Sequence, residues 1–365
     1  MIPPGFRDPP SAPERPSIDT TRRTNHMTST SPIRIGLLGC GRIGRMHAEL
    51  VARRVEGLSL GAVYDVTTAA AEAVSAEHGG FVAGDPHELI NSDQVDAVAI
   101  CSSTDTHIDL LVAAAEAGKP VFLEKPVHLD LGEVDRGVAA VERSGIPVQV
   151  GFNRRFDPSH RSVREQVRAG AVGEVQMVRI TSRDPAPPPI EYIKVSGGIF
   201  LDMTIHDFDM ARYVTGSEVV EVYAQGGVMV DPAIGEAGDL DTVVVMMRHE
   251  NGAITTIDNS RQAVYGYDQR VEVFGSAGVV ASDNPGVTTT TLRTADGSQG
   301  STIPYFFIER YIPSYVDQWG DFVRTARGEA PSPVTIADGR APLVLGLAAW
   351  KSIHEGRPVG VGEIG

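Results

Sequence analysis

The chain has 365 residues, a net charge of −15 and two cysteines, Cys40 and Cys101. That length leaves room for two domains with separate cores, and the negative charge argues against a nucleic-acid partner. No apolar run approaches the ~20 residues of a membrane span, no signal-peptide pattern opens the chain, and two cysteines in apolar runs supply neither a disulfide framework nor a metal spacing, so a cytoplasmic protein is expected.

Residues 1–31 are rich in Pro, Ser, Thr and Arg and lack apolar periodicity, which predicts a disordered tail. Met27 lies just ahead of the first predicted strand, so an upstream misassigned start is a further expectation, checked by mass spectrometry of the native protein.

Ile33 to Leu38 reads as a short strand that runs into Gly39-Cys40-Gly41-Arg42-Ile43-Gly44, with a helical pattern from Arg45 to Arg53. This is the strand–turn–helix context that a G-x-G-x-x-G fingerprint requires. Gly39 permits the tight turn, Gly41 lets the backbone approach a pyrophosphate, and Gly44 allows the helix to pack closely. A second strand, Leu58 to Tyr64, ends in Asp65, 21 residues after Gly44. A carboxylate there accepts hydrogen bonds from ribose hydroxyls and repels a 2′-phosphate, which favours NAD over NADP. Asp65 could alternatively be a loop or cap carboxylate.

Helices are predicted over 69–78 and 85–91, a buried strand over Val95 to Cys101, and then the loop Ser102-Ser103-Thr104-Asp105-Thr106-His107. A helix over 108–117, a strand Val121 to Leu123, the segment Glu124-Lys125-Pro126, a helix over 131–144 and a strand Pro147 to Val150 follow. Repeated βα units predict a doubly wound parallel sheet, whose ligands lie beyond the carboxyl ends of its strands. The loop 102–107 and Lys125 fall at such ends. Lys125 can stabilise a developing alkoxide, or it can be a surface lysine paired with Glu124.

Beyond Phe152 short alternating runs recur at 175–182, 219–226, 242–249, 253–260, 270–274 and 279–282, with Asn251-Gly252 as a hairpin turn. Late helices are predicted over 315–327 and 339–354. Between these lies Asp202-Met203-Thr204-Ile205-His206-Asp207-Phe208-Asp209. On one helix the four-residue spacing would stack Asp202 on His206, a carboxylate behind an imidazole, as a general base needs. Asp202 could instead cap the helix, and His206 could be a core histidine. A metal held by Asp202, His206 and Asp209 is disfavoured without a further His or Cys nearby, so no metal is expected.

The glycine fingerprint, Glu124-Lys125-Pro126, Gly151-Phe152-Asn153-Arg154-Arg155-Phe156-Asp157 and the Asp202-x-x-x-His206 stretch occur in that order. Together they resemble the glucose–fructose oxidoreductase/inositol dehydrogenase/rhizopine-catabolism family, and its inositol dehydrogenase branch most. The resemblance implies a Rossmann NAD-binding domain (32–151), then an α+β domain with a large, mostly antiparallel open sheet (152–365), whose last helices could pack back on the first. It implies NAD-dependent oxidation of a polyol, myo-inositol to its 2-keto form, with His206 as base, Asp202 orienting it and Lys125 donating to the reacting oxygen. Cofactor contacts are expected from Gly39, Gly41, Arg42, Ile43, Gly44, Asp65, Ser102, Ser103, Thr104, His107, Glu124 and Lys125. Polyol contacts are expected from Lys125, Asn153, Arg154, Asp202, His206, Asp209 and Tyr265, with Tyr267 a further possibility and one of Arg154 and Arg155 paired with Asp157. A homo-oligomer, by analogy a tetramer, is expected. The rivals are the same chemistry on scyllo- or chiro-inositol or an aldose, and a dinucleotide-binding sugar sensor without turnover.

Overall fold

A computed structural model describes residues 31–365; the predicted tail and the start-site reading at Met27 lie, but for Ser31, outside the described residues. The first half is β1 (Ile33–Leu38), α1 (Arg42–Arg53), β2 (Leu58–Tyr64), α2 (Thr68–His78), β3 (Phe81–Val82), α3 (Pro86–Asn91), β4 (Ala97–Ile100), α4 (His107–Glu116), β5 (Val121–Leu123), α5 (Leu131–Ser144) and β6 (Val148–Val150). Its six strands are all parallel, in the order β3-β2-β1-β4-β5-β6. The strand order reverses between β1 and β4, which opens a crevice at their carboxyl ends. β4 and β5 are buried on both faces, hence their unbroken apolar sequences.

The second half runs α6 (Pro158–Arg168), β7 (Val175–Arg183), α7 (Ile190–Ile193), α8 (Gly198–Asp202), α9 (Ile205–Thr215), β8 (Val219–Gly227), α10 (Pro232–Glu236), β9 (Thr242–His249) and β10 (Ile254–Ser260). It continues through β11 (Asp268–Gly275), β12 (Gly278–Ser282), a separate hairpin of β13 (Thr291–Thr294) and β14 (Gly297–Gly300), α11 (Phe307–Ala326), α12 (Ile336–Glu355) and β15 (Val359–Gly360). Seven strands form one sheet in the order β12-β11-β7-β10-β9-β8-β15, antiparallel except where β7 pairs with β10. Along β9, buried Val243, Val245 and Met247 alternate with exposed Val244, Met246 and Arg248, so one face is packed and the other open.

α11 starts eight residues before the predicted 315, because Pro313 lies inside it and an internal proline reads as a boundary. The helix returns to the parallel sheet. Tyr311, Tyr315, Trp319 and Phe322 pack with Ile35, Leu37 and Phe122, and Trp319 stacks on Phe122 at 4.4 Å between ring centroids. α12 lies between the two sheets, with Leu343 in one core and Leu345, Ala348 and Ala349 in the other.

Candidate active site

The crevice wall over β1 is built by backbone. Gly39 has φ +95°, and a Cβ on it would lie 2.6 Å from the Cys101 carbonyl oxygen. A Cβ on Gly44 would sit 1.9 Å from the Gly39 carbonyl oxygen, whereas one on Gly41 would meet nothing within 4 Å. Gly41 is therefore open toward the crevice, and α1 begins behind it with no side-chain cap, leaving its first N–H groups for an anion. Arg42 is exposed and Ile43 half-buried. Asp65, at the end of β2, accepts from the N–H of Cys40 (2.7 Å) and of Thr67 (2.8 Å), one to each oxygen. Each oxygen keeps a lone pair, so these residues fit a dinucleotide carrying a free ribose diol. After β4, Ser102 and Thr106 share a 2.7 Å hydrogen bond, Ser103 is exposed and Thr104 half-buried.

Across the crevice, Lys125 follows β5 and its Nζ donates to the backbone oxygen of Asp202 at 3.1 Å, 3.6 Å from Asp202 Oδ1. Asp202 ends α8. Its Oδ1 accepts from the Tyr192 hydroxyl at 2.9 Å, and its Oδ2 lies 3.6 Å from a guanidinium nitrogen of Arg261. His206, in the first turn of α9, packs edge-on to Phe152, and its buried Nδ1 has no hydrogen-bond partner among the described residues. Burial, then the nearby charges of Arg154 and Lys125, hold its imidazole well below the usual histidine range, so the ring is neutral. Asp184, just past β7, is pushed up to about 6 by burial and by Asp202, against the pull of Arg154 and Arg261. Asp207 reaches about 6 through burial, opposed first by Arg154.

Several sequence expectations need correction. Asp202 and His206 do not share a continuous helix: α8 ends at Asp202, two turn residues intervene, and Thr204 precedes α9. The carboxylate is engaged by Lys125, Tyr192 and Arg261, so it neither stacks on the imidazole nor caps a helix. Asp209 is 1% exposed and holds Arg155 through two bonds of 2.8 and 2.6 Å, which leaves it no access to a ligand. Neither arginine pairs with Asp157, which caps α6 and binds Arg310. Arg154 is buried, donating to Asp207 (2.6 Å), Ser182 (3.1 Å) and the Tyr267 hydroxyl (3.3 Å). Asn153 is buried against Ser314. Tyr265 is half-exposed and engaged by Asp268 and Arg183; its neighbour Tyr267 is the one beside Arg154.

Two expected cofactor contacts are turned inward as well. Glu124 accepts from His47 at 2.8 Å and from the Lys125 N–H at 3.1 Å, while His47 Nδ1 accepts from the Trp319 indole at 2.9 Å, which leaves Nε2 as the donor to Glu124. His107 is buried between the carbonyl oxygens of Ser102 (3.1 Å) and Pro126 (2.9 Å). Both tie down the loops that carry Ser102 and Lys125.

A family model described as an oxidoreductase family with an NAD-binding Rossmann fold matches residues 33–152, and one for the GFO/IDH/MocA C-terminal domain matches residues 160–281. The chain belongs to the Gfo/Idh/MocA oxidoreductase family. Among members of this family, it is 49% identical to a myo-inositol 2-dehydrogenase of Thermotoga maritima over 91% of this chain and 99% of that one. It is 45% identical to an inositol 2-dehydrogenase of Rhizobium meliloti over 90% and 99% of the two chains. A scyllo-inositol dehydrogenase of Lactobacillus casei, solved with bound NAD(H) and scyllo-inositol, superposes with a TM-score of 0.85 at 29% identity, over 91% of this chain and 100% of that chain.

Sequence reasoning missed Asp184, Tyr192, Asp207 and Arg261. Asp207 adjoins His206 and was readable as part of that motif. Asp184, Tyr192 and Arg261 carry no local signal, because they reach the cleft only through the pairing of β7 with β10 and the loop before α8.

Proposed function

We propose that this protein oxidises myo-inositol to its 2-keto form, with NAD as acceptor. The observation that carries this reading is the Lys125–Asp202 pair beyond the carboxyl end of β5, with His206 near enough for the Lys125 charge to act on it, beside a glycine loop that fits a dinucleotide. Relatives named for the same activity support it. Gly39, Gly41, Arg42, Ile43, Gly44, Asp65, Ser103 and Thr104 would hold the cofactor, and the ribose-facing carboxylate of Asp65 favours NAD. When bound, NAD accepts the hydride that leaves the carbinol carbon as the alcohol becomes a ketone.

The chain itself manages the proton. His206, neutral in its buried site, accepts the hydroxyl proton as the carbon–oxygen double bond forms, and Lys125 Nζ donates to the oxygen as negative charge gathers there. Asp202, with Asp184 near it, offers acceptors to neighbouring ring hydroxyls, and the Tyr192 hydroxyl, which donates to Asp202, can accept from one. Arg154 reaches the site through its charge on His206, from a seat fixed by Asp207. Oxidation of scyllo-inositol is the second reading, favoured by the Lactobacillus casei complex.

The two-domain division at residues 151–152 follows the same reading, with the cofactor before the boundary and, Lys125 apart, the polyol contacts after it. A homo-oligomer, a tetramer by analogy, would cover the open face of the seven-stranded sheet. There Ile254, Met177, Phe274 and Val279 are successive cross-strand neighbours, each 41–58% exposed. A cytoplasmic location is part of the proposal; among the described residues no helix is long and apolar enough to cross a membrane.

The test is NADH formation by purified protein with NAD or NADP and myo-, scyllo- or chiro-inositol, glucose or xylose. Turnover of myo-inositol with NAD is expected. NADH binding without turnover of any polyol would favour the sensor instead.

A further inference from the structure

Arg261 follows β10 and is fully buried. One terminal nitrogen donates to Asp239 Oδ2 at 3.1 Å, while Nε and the other terminal nitrogen have no hydrogen-bond partner among the described residues. A guanidinium buried with most of its donors unmet is costly, and apolar packing would fill the same space at less expense to stability. Its surroundings supply a reason to keep it. The unpartnered terminal nitrogen lies 3.6 Å from Asp202 Oδ2, and Lys125 Nζ lies 3.6 Å from Oδ1 of the same carboxylate. Asp239 also accepts from the Ile199 N–H at 2.9 Å, so the Asp239–Arg261 pair is fastened to α8, the helix that ends in Asp202. Two cations thus share one carboxylate. One is immobile in the interior; the other is the donor that the reacting oxygen needs.

We propose that Arg261 is a positioning residue for the oxidation, acting as a countercharge that holds the Asp202 carboxylate from behind so that Lys125 is not captured by it. With Asp202 drawn toward Arg261, the ammonium of Lys125 is free to turn to the substrate oxygen, and Asp202 Oδ1 stays directed at the polyol. Without Arg261, Lys125 is, among the described residues, the only cation left on Asp202 and remains paired with it. The inference rests on the polyol dehydrogenase reading.

The test is a double-mutant cycle on the full-length protein with NAD and myo-inositol, or whichever polyol of the panel the wild type turns over. Arg261→Gln is expected to lower kcat by at least about tenfold, with the polyol KM changed less than about threefold and NADH affinity by fluorescence unchanged. In an Asp202→Asn background the same substitution should change kcat by less than about twofold, because the carboxylate it acts through is gone. Arg261→Lys, which keeps the charge, should recover most of the loss. Should Arg261→Gln not fold, the Arg261→Lys cycle is read in its place, with a kcat deficit of about threefold expected in the wild-type background and none in Asp202→Asn. Retention of kcat in Arg261→Gln, or an equal loss in both backgrounds, would overturn the role of Arg261. No turnover by the wild type would remove it together with the dehydrogenase reading.

Discussion

The two walls of the crevice are built in different ways. On the proposed cofactor side, backbone is what a dinucleotide would meet: the glycine loop, the uncapped start of α1 and one carboxylate fastened by two N–H groups. On the proposed polyol side, charged side chains that follow β5, β7 and β10 or lie on α8 and α9 converge, and each depends on a partner remote in sequence. A wall of backbone tolerates few changes of shape but is set by local sequence. A wall of side chains can be re-specified residue by residue, and its parts are recognisable only once the sheets are paired.

The sharpest way to break that contrast is at the polyol wall. His206→Ala and Lys125→Met should each lower kcat by about 10²–10⁴-fold, with NADH affinity and thermal unfolding close to wild type, as steady-state kinetics and fluorescence titration would record. A comparable loss of NADH affinity would mean that the walls are not separable. Gly44→Ala approaches from the other side. Its methyl would meet the Gly39 carbonyl oxygen at 1.9 Å, so NADH affinity should fall at least about tenfold while the circular dichroism of the folded protein persists. Asp65→Ser is a gentler probe, expected to lower the NAD-over-NADP ratio of kcat/KM by about tenfold or more and to leave the polyol KM alone.

The smallest expected effect concerns Asp184. Its carboxyl is raised from 3.8 to about 6, so between these values the native state keeps a proton that the unfolded chain has lost. The stability it contributes is therefore present in acid and lost as pH rises through about 6. Asp184→Asn should raise stability at pH 8 by on the order of 1–2 kcal/mol, and the gain should vanish near pH 3, as denaturant titrations at both pH values would show. A gain equal at both pH values would point to packing and not to the carboxylate.

The contrast also explains what was legible in advance. The parallel sheet, Gly39 to Gly44 and Asp65 were readable because their requirements are local: a turn, a close approach, a strand end. β9 and α5 match their expected spans residue for residue. Short β3 and β15, two residues each, left no periodicity to find. At the proposed site, Lys125, Asp202 and His206 were singled out by motif, but the structure does not make the contact expected between Asp202 and His206. Spacing alone does not reveal that the chain leaves the helix at Met203 and Thr204. Asp209 looked like a polyol ligand, and Arg155 like a partner of Asp157, for a similar reason. Their charges satisfy each other in the interior, and only the tertiary structure reveals the pairing.

The most direct test follows the hydrogen. With myo-inositol deuterated at carbon 2 and NAD, the reduced cofactor should carry the deuterium, and single-turnover hydride transfer should slow relative to the protiated substrate. Undeuterated NADH from that substrate would contradict oxidation at carbon 2, and so would the label appearing only when another ring carbon is deuterated.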